Sequence, residues 1–119
     1  MRDEMQRCIQ ECEKCRDVCL QTIMHCLRKG GRHAEVGHIT TLLDCVDMCG
    51  TSVNFMLRDS ARHRRTCEVC AEVCDACAKS CALFQDDDEM RRCEAECHRC
   101  AELCVQTCMS RNPVTVVPV

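Results

Sequence analysis

The chain has no tryptophan, no tyrosine and only 2 phenylalanines among 119 residues. The aromatic bulk that usually dominates a small core is missing. Glycine (4) and proline (2) are scarce as well, which excludes a loop-rich scaffold. No apolar run approaches the ~20 residues that span a bilayer. No charged-then-apolar leader stands in residues 1–8, so no secretory or twin-arginine signal is expected. A strong charge of one sign is also absent, since 16 basic and 19 acidic residues leave a net −3. That balance opposes a nucleic-acid surface and favours no other partner.

What the chain does have is 17 cysteines. They form three ladders and a pair: Cys8, Cys12, Cys15, Cys19 and Cys26; Cys45 and Cys49; Cys67, Cys70, Cys74, Cys77 and Cys81; Cys93, Cys97, Cys100, Cys104 and Cys108. Nearly every step is three, four or seven residues, the repeat of one helix face. A helical bundle normally fills those positions with Leu, Ile or Val. Thiols in their place make a poor apolar core but a rich set of soft-metal ligands.

Four helices are expected. The first covers residues 3–28, with Asp3 and Glu4 at its positive end, Arg28 and Lys29 at its other end, and Gly30-Gly31 to stop it. The second covers 33–58, the third 61–84 and the fourth 88–111, where Asn112-Pro113 ends it. Asp86 and Glu89 have capping-box spacing before the fourth. Comparable lengths and short connections predict an all-α, antiparallel up-down-up-down four-helix bundle with a cysteine-lined core, over residues 1–111. Residues 112–119 form a short C-terminal tail.

The second helix carries two stripes. Its cysteine face extends in heptads through His38, Leu42, Cys45, Cys49, Ser52 and Met56. A second stripe, Ile39, Leu43, Val46, Gly50, Val53 and Leu57, keeps the same rhythm and needs cover. We expect it to be an oligomer interface, with close backbone approach at Gly50. Packing against a neighbouring helix is the alternative.

Thiols three and four apart on a helix can hold one ion between successive turns, and facing helices add sulfurs at each level. Crowded sulfur ligands select soft ions, Cu(I) first, then Zn(II), Cd(II) or an iron–sulfur cluster. Cu(I) accepts few ligands, and its single charge matches one thiolate. Burial should keep the empty thiols protonated, so uptake releases protons. Other readings have weaker support. A disulfide scaffold conflicts with the expected reducing, cytoplasmic compartment and with the odd cysteine count. Buried cysteine can serve as a small hydrophobe, but not in such numbers and register. An Fe–S electron carrier normally wraps its cluster in loops, and no Pro follows Cys77. A metallothionein-like Zn or Cd buffer stays open.

Histidines and methionines add a second signal. The antiparallel arrangement puts Cys26, His38, Cys81 and Cys93 near one end, with His25 and Met24 beside them. These groups suit an ion entrance, and His38 and His25 are candidate ligands. Met5 and Met56 at the other end read as core filler. His33 and His63 read as solvated, and His98 lies off the ladder.

The run Cys8-x3-Cys12-x2-Cys15-x3-Cys19, the segment from Asp44 to Cys49 and the two later ladders resemble the bacterial copper storage proteins, specifically the cytosolic type. The likeness runs from about Met5 to Met109. It implies a non-enzymatic four-helix bundle that stores multiple Cu(I) ions on inward cysteines and assembles as a homotetramer. It also implies an entrance at the end where His25-Cys26 lies. The sequence departs from that pattern at Thr22, at His38 and at Asp86, Asp87 and Asp88. Cysteine stands at the first two positions in the full pattern or in some members, and histidines stand at the third in some relatives.

Overall fold

A computed structural model describes residues 2–109. Four helices follow in order: α1 (Arg2–Lys29), α2 (Val36–Leu57), α3 (His63–Cys81) and α4 (Asp88–Met109). A 3₁₀ turn at Gly31–Ala34 leads into α2. Each helix packs on two neighbours, α1 on α2 and α4, and α3 on α2 and α4. Sulfur contacts fix their directions. Cys8 near the start of α1 meets Cys104 near the end of α4, Cys15 meets Cys45, and Cys49 meets Cys70. Successive helices are therefore antiparallel, as the ladders predict, in a rod of 49 × 21 × 17 Å. Among the described residues no helix is long and apolar enough to cross a membrane.

The ends of the helices have local causes. Gly30 (φ 73°) and Gly31 (φ 58°) adopt left-handed backbone, where a side chain would be strained, and release the chain from α1. Asp59 also takes positive φ (53°). The Ser60 amide donates to the Phe55 carbonyl at 2.9 Å, which closes α2 with a Schellman-type turn. α4 is capped by Asp87, whose Oδ1 accepts from the amides of Glu89 and Met90 at 3.0 and 3.3 Å. The capping box expected from Asp86 and Glu89 does not form: α4 starts at Asp88, the cap moves to Asp87, and Met90 at N3 cannot complete a box.

α2 starts three residues later than expected because the 3₁₀ turn takes the preceding segment. α3 runs only from His63 to Cys81, since tight turns occupy both flanks. Residues 112–119, expected as a tail, lie outside the described residues.

The stripe on α2 divides. Val53 is only 6% exposed, and Ile39 and Val46 are partly buried against the core. Leu43 is half exposed and Leu57 is 63% exposed. The buried face of α2 is wider than a single heptad seam. At Gly50 a Cβ would meet nothing within 4 Å, so the close approach expected there does not occur within the chain.

Candidate metal centre

Sixteen cysteines are fully buried along the axis, and only Cys108 is partly exposed. Their sulfurs make one path. From Cys8 it passes to Cys104 (3.9 Å), Cys12 (3.7 Å), Cys100 (3.7 Å) and Cys49 (4.0 Å). It continues through Cys74 (3.8 Å), Cys45 (3.6 Å), Cys15 (3.8 Å), Cys97 (3.9 Å), Cys19 (3.7 Å) and Cys93 (3.8 Å). Cys70 joins at Cys49 and Cys74, at 3.8 and 3.9 Å. All these cysteines are free thiols. A disulfide would bring two sulfurs to ~2.05 Å. At 3.6–4.0 Å an ion ~2.3 Å from each sulfur fits between them with an angle of roughly 100–120°. The gap is one ion wide, too narrow for a multi-iron cluster.

Several groups of four sulfurs converge within 4.8 Å of one another: Cys12, Cys49, Cys70 and Cys100; Cys15, Cys49, Cys74 and Cys100; Cys15, Cys19, Cys45 and Cys97; and Cys19, Cys77, Cys93 and Cys97. Cys8, Cys12 and Cys104 form a triad. Cys15, Cys19, Cys49, Cys97 and Cys100 each belong to two groups of four. An ion in one group therefore shares thiolates with the next, as a linear store requires. Cys67 and Cys81 lie at the two ends, fully buried. Thr22 fills the vacant step of the α1 ladder, buried, with its hydroxyl donating to the Val18 carbonyl at 2.7 Å. It satisfies itself and adds no ligand to the column.

The end of the column expected as the entrance, or mouth, is built from α1, α2, α3 and α4. Cys26 Sγ lies 3.4 Å from His38 Nε2 and 3.6 Å from Met90 Sδ. His38 Nδ1 lies 2.6 Å from Ser80 Oγ, which fixes the ring and turns Nε2 to the thiol. Burial and the charge of His33 push the His38 pKa down, so its imidazole is neutral and able to ligate. Burial, then the charges of Cys93, Asp87 and Glu89, push the Cys26 thiol up to about 11. Hydrogen bonds to Cys77 and Cys93, with burial, raise Cys81 as well. The expected placement of Cys26 and His38 at one end is met.

Met90 was not among the sequence candidates, yet it is fully buried against Cys26. The signal was available, because Met90 precedes Cys93 by three and Cys97 by seven and so extends the ladder. Met24 is half exposed. Both ring nitrogens of His25 face carboxylates, those of Asp87 and Glu89. His33, expected to be solvated, is mostly buried beside Asp87 and stacks on Phe84 at 4.3 Å. The 3₁₀ turn folds it back over the bundle end. His63 is partly buried against the Ser60 carbonyl, and His98 is exposed. Met5 is partly buried and Met56 buried at the far end, where both pack in the core.

Residues 1–109 match the family described as Copper storage protein. The Nmul_A1745 protein of Nitrosospira multiformis superposes with a TM-score of 0.85 and is 42% identical, over 92% of this chain and 98% of that one. The Cu(I)-bound copper storage protein BsCsp3 of Bacillus subtilis has a TM-score of 0.81 and 31% identity, over 87% of this chain and 96% of that one. A cytosolic copper storage protein from Streptomyces lividans, solved with five coppers in a study of copper loading, has a TM-score of 0.82 and 27% identity, over 93% and 97%.

Proposed function

The chain belongs to the copper storage protein family, and from that premise we propose how its residues divide the task. The cargo is Cu(I), multiple ions per chain, sequestered by inward-facing thiolates in the bundle. Storage also protects, since a buried Cu(I) ion is kept from oxygen and from other thiol or cluster sites. The role is sequestration rather than catalysis. All 17 cysteines are the proposed ligands. His38 completes the set at the mouth, next to Cys26. The surroundings of His25 suit a different donor set. The proposed compartment is the cytosol, as for the cytosolic relative from Streptomyces lividans.

The observation that carries this reading is the path of sulfurs 3.6–4.0 Å apart from Cys8 to Cys93. The test is a variant with Cys70, Cys74 and Cys77 all changed to Ser. It should keep its helical circular dichroism and bind fewer Cu(I) ions. Unchanged copper stoichiometry would overturn the assignment. The groups of four thiols also suit tetrahedral Zn(II). Competition separates the two readings, because a copper store should surrender Zn(II) completely to Cu(I).

Assembly into a homo-oligomer, a tetramer by family resemblance, belongs to the same proposal. Half-exposed Leu43 and exposed Leu57 support an interface on α2. Leu20, Met24 and Leu27, exposed at helical spacing on α1, add apolar surface.

A further inference from the structure

Two imidazoles and two carboxylates meet outside the sulfur column, on the rim of the mouth. His25 comes from the end of α1, His33 from the 3₁₀ turn, and Asp87 and Glu89 from the start of α4. His25 Nε2 lies 2.8 Å from Asp87 Oδ2, and His33 Nε2 lies 3.0 Å from the same oxygen. The other nitrogen of His25, Nδ1, meets Glu89 Oε1. The Asp87 side chain is 8% exposed. Its Oδ1 is taken by the amides of Glu89 and Met90, so Oδ2 is fixed toward the two rings. Burial opposes ionisation of Asp87. Hydrogen bonds from His25, the Met90 amide and His33 overcome that and hold its pKa at about 2.

A neutral imidazole has one N–H. His25 has a carboxylate oxygen at each ring nitrogen, so a neutral ring can donate to only one of them, while a neutral His33 can donate its one N–H to Asp87 Oδ2. A divalent cation would take lone pairs from the two neutral rings and a carboxylate, and its charge matches the two acids. Two imidazoles with a carboxylate are a donor set for zinc and other first-row divalent ions. Bonds of ~2.0–2.1 Å hold tetrahedral donors roughly 3.3 Å apart, so a slight widening of the cluster would seat the ion. The absence of sulfur selects a harder ion than the column does.

We propose that His25, His33 and Asp87, with Glu89 in reach, form a second metal site for a divalent first-row cation such as Zn(II). The ion would tie α1, the 3₁₀ turn and α4 together across the mouth. His33 stacks on Phe84, and Phe84 leans on His38 at 4.9 Å, so the clamp would sit over the entrance ligand.

The test starts from protein saturated with Cu(I), its copper content measured, so that the thiols are occupied. Calorimetric titration with Zn(II) should then show one ion per chain. Affinity should fall at least tenfold in His33→Ala and in Asp87→Asn. Asparagine is a good N-cap, and position 33 lies outside the helices, so both variants should fold. Co(II) in place of Zn(II) should give no sulfur charge-transfer band. The site is overturned if the loaded protein takes up no zinc, if both variants bind within twofold of wild type, or if cobalt shows the sulfur band. Ring ¹⁵N NMR reads the same contacts in copper-free protein, where Zn(II) should shift His25 and His33. Failure to load copper is therefore distinguishable from failure of this site, and unmoved His25 and His33 resonances would overturn it in either case.

Discussion

The buried thiol of Cys26 is held in its neutral form, and copper uptake there must displace its proton. Cys26 shows the sign. Its pKa rises from 9.0 to about 11, first by burial and then by the charges of Cys93, Asp87 and Glu89. At neutral pH it is protonated, so binding there should weaken about tenfold per unit of falling pH for each proton displaced. In the copper-free protein the stabilisation linked to Cys26 is complete below pH 9 and is lost as pH rises through about 11. Urea melts of the copper-free protein should therefore show falling stability from pH 9 to 11, and flat stability across that range would contradict the assignment.

Glu11 behaves in the same sense at lower pH. Burial, then its contact with Glu96, raises it from 4.5 to about 7, against the pull of Lys14 and Arg99. Glu11→Gln should thus melt higher than wild type at pH 8, and the gain should vanish below pH 4.5.

At this scale the cysteines were legible because their spacing states their direction. Met90 and His33 were not. Met90 obeys the same spacing but is an ordinary core residue by type, and His33 is buried by a turn that helix periodicity does not describe.

At the scale of elements, helix directions and the end holding Cys26 and His38 followed from short connections between cysteine ladders. Boundaries did not, because they depend on backbone conformations that side-chain patterns register weakly. Asp87 caps α4 where Asp86 was expected, and three consecutive aspartates offer no sequence basis for choosing. Asp59 occupies left-handed backbone at φ 53° between α2 and α3. Asp59→Gly should raise stability by up to ~1 kcal/mol, and Asp59→Val should lower it. Thermal melts of the two variants decide, and equal melting temperatures would mean that the turn carries no strain. The stripe on α2 was legible as apolar but not as divided. Val53 turns inward because two neighbouring helices, α1 and α3, widen the covered arc of α2.

For the whole molecule, the sequence states the chemistry more fully than the assembly. The sulfurs meet inside one chain, so the column needs no partner. The proposed oligomer rests on what stays uncovered in the single chain. Leu43→Glu with Leu57→Glu should reduce the assembly to monomers, because both side chains are exposed in the single chain. An unchanged elution volume in gel filtration would place the interface elsewhere. Helicity and copper capacity should survive that change, since neither residue lies in the sulfur path.

The sulfur path from Cys8 to Cys93 is the store. Its most direct test is an anaerobic Cu(I) titration of fully reduced protein against a coloured Cu(I) chelator. Many ions per chain should be taken up before the chelator colours. Saturation at one or two ions would contradict it, since most of the thiols between Cys8 and Cys93 would then not be ligands.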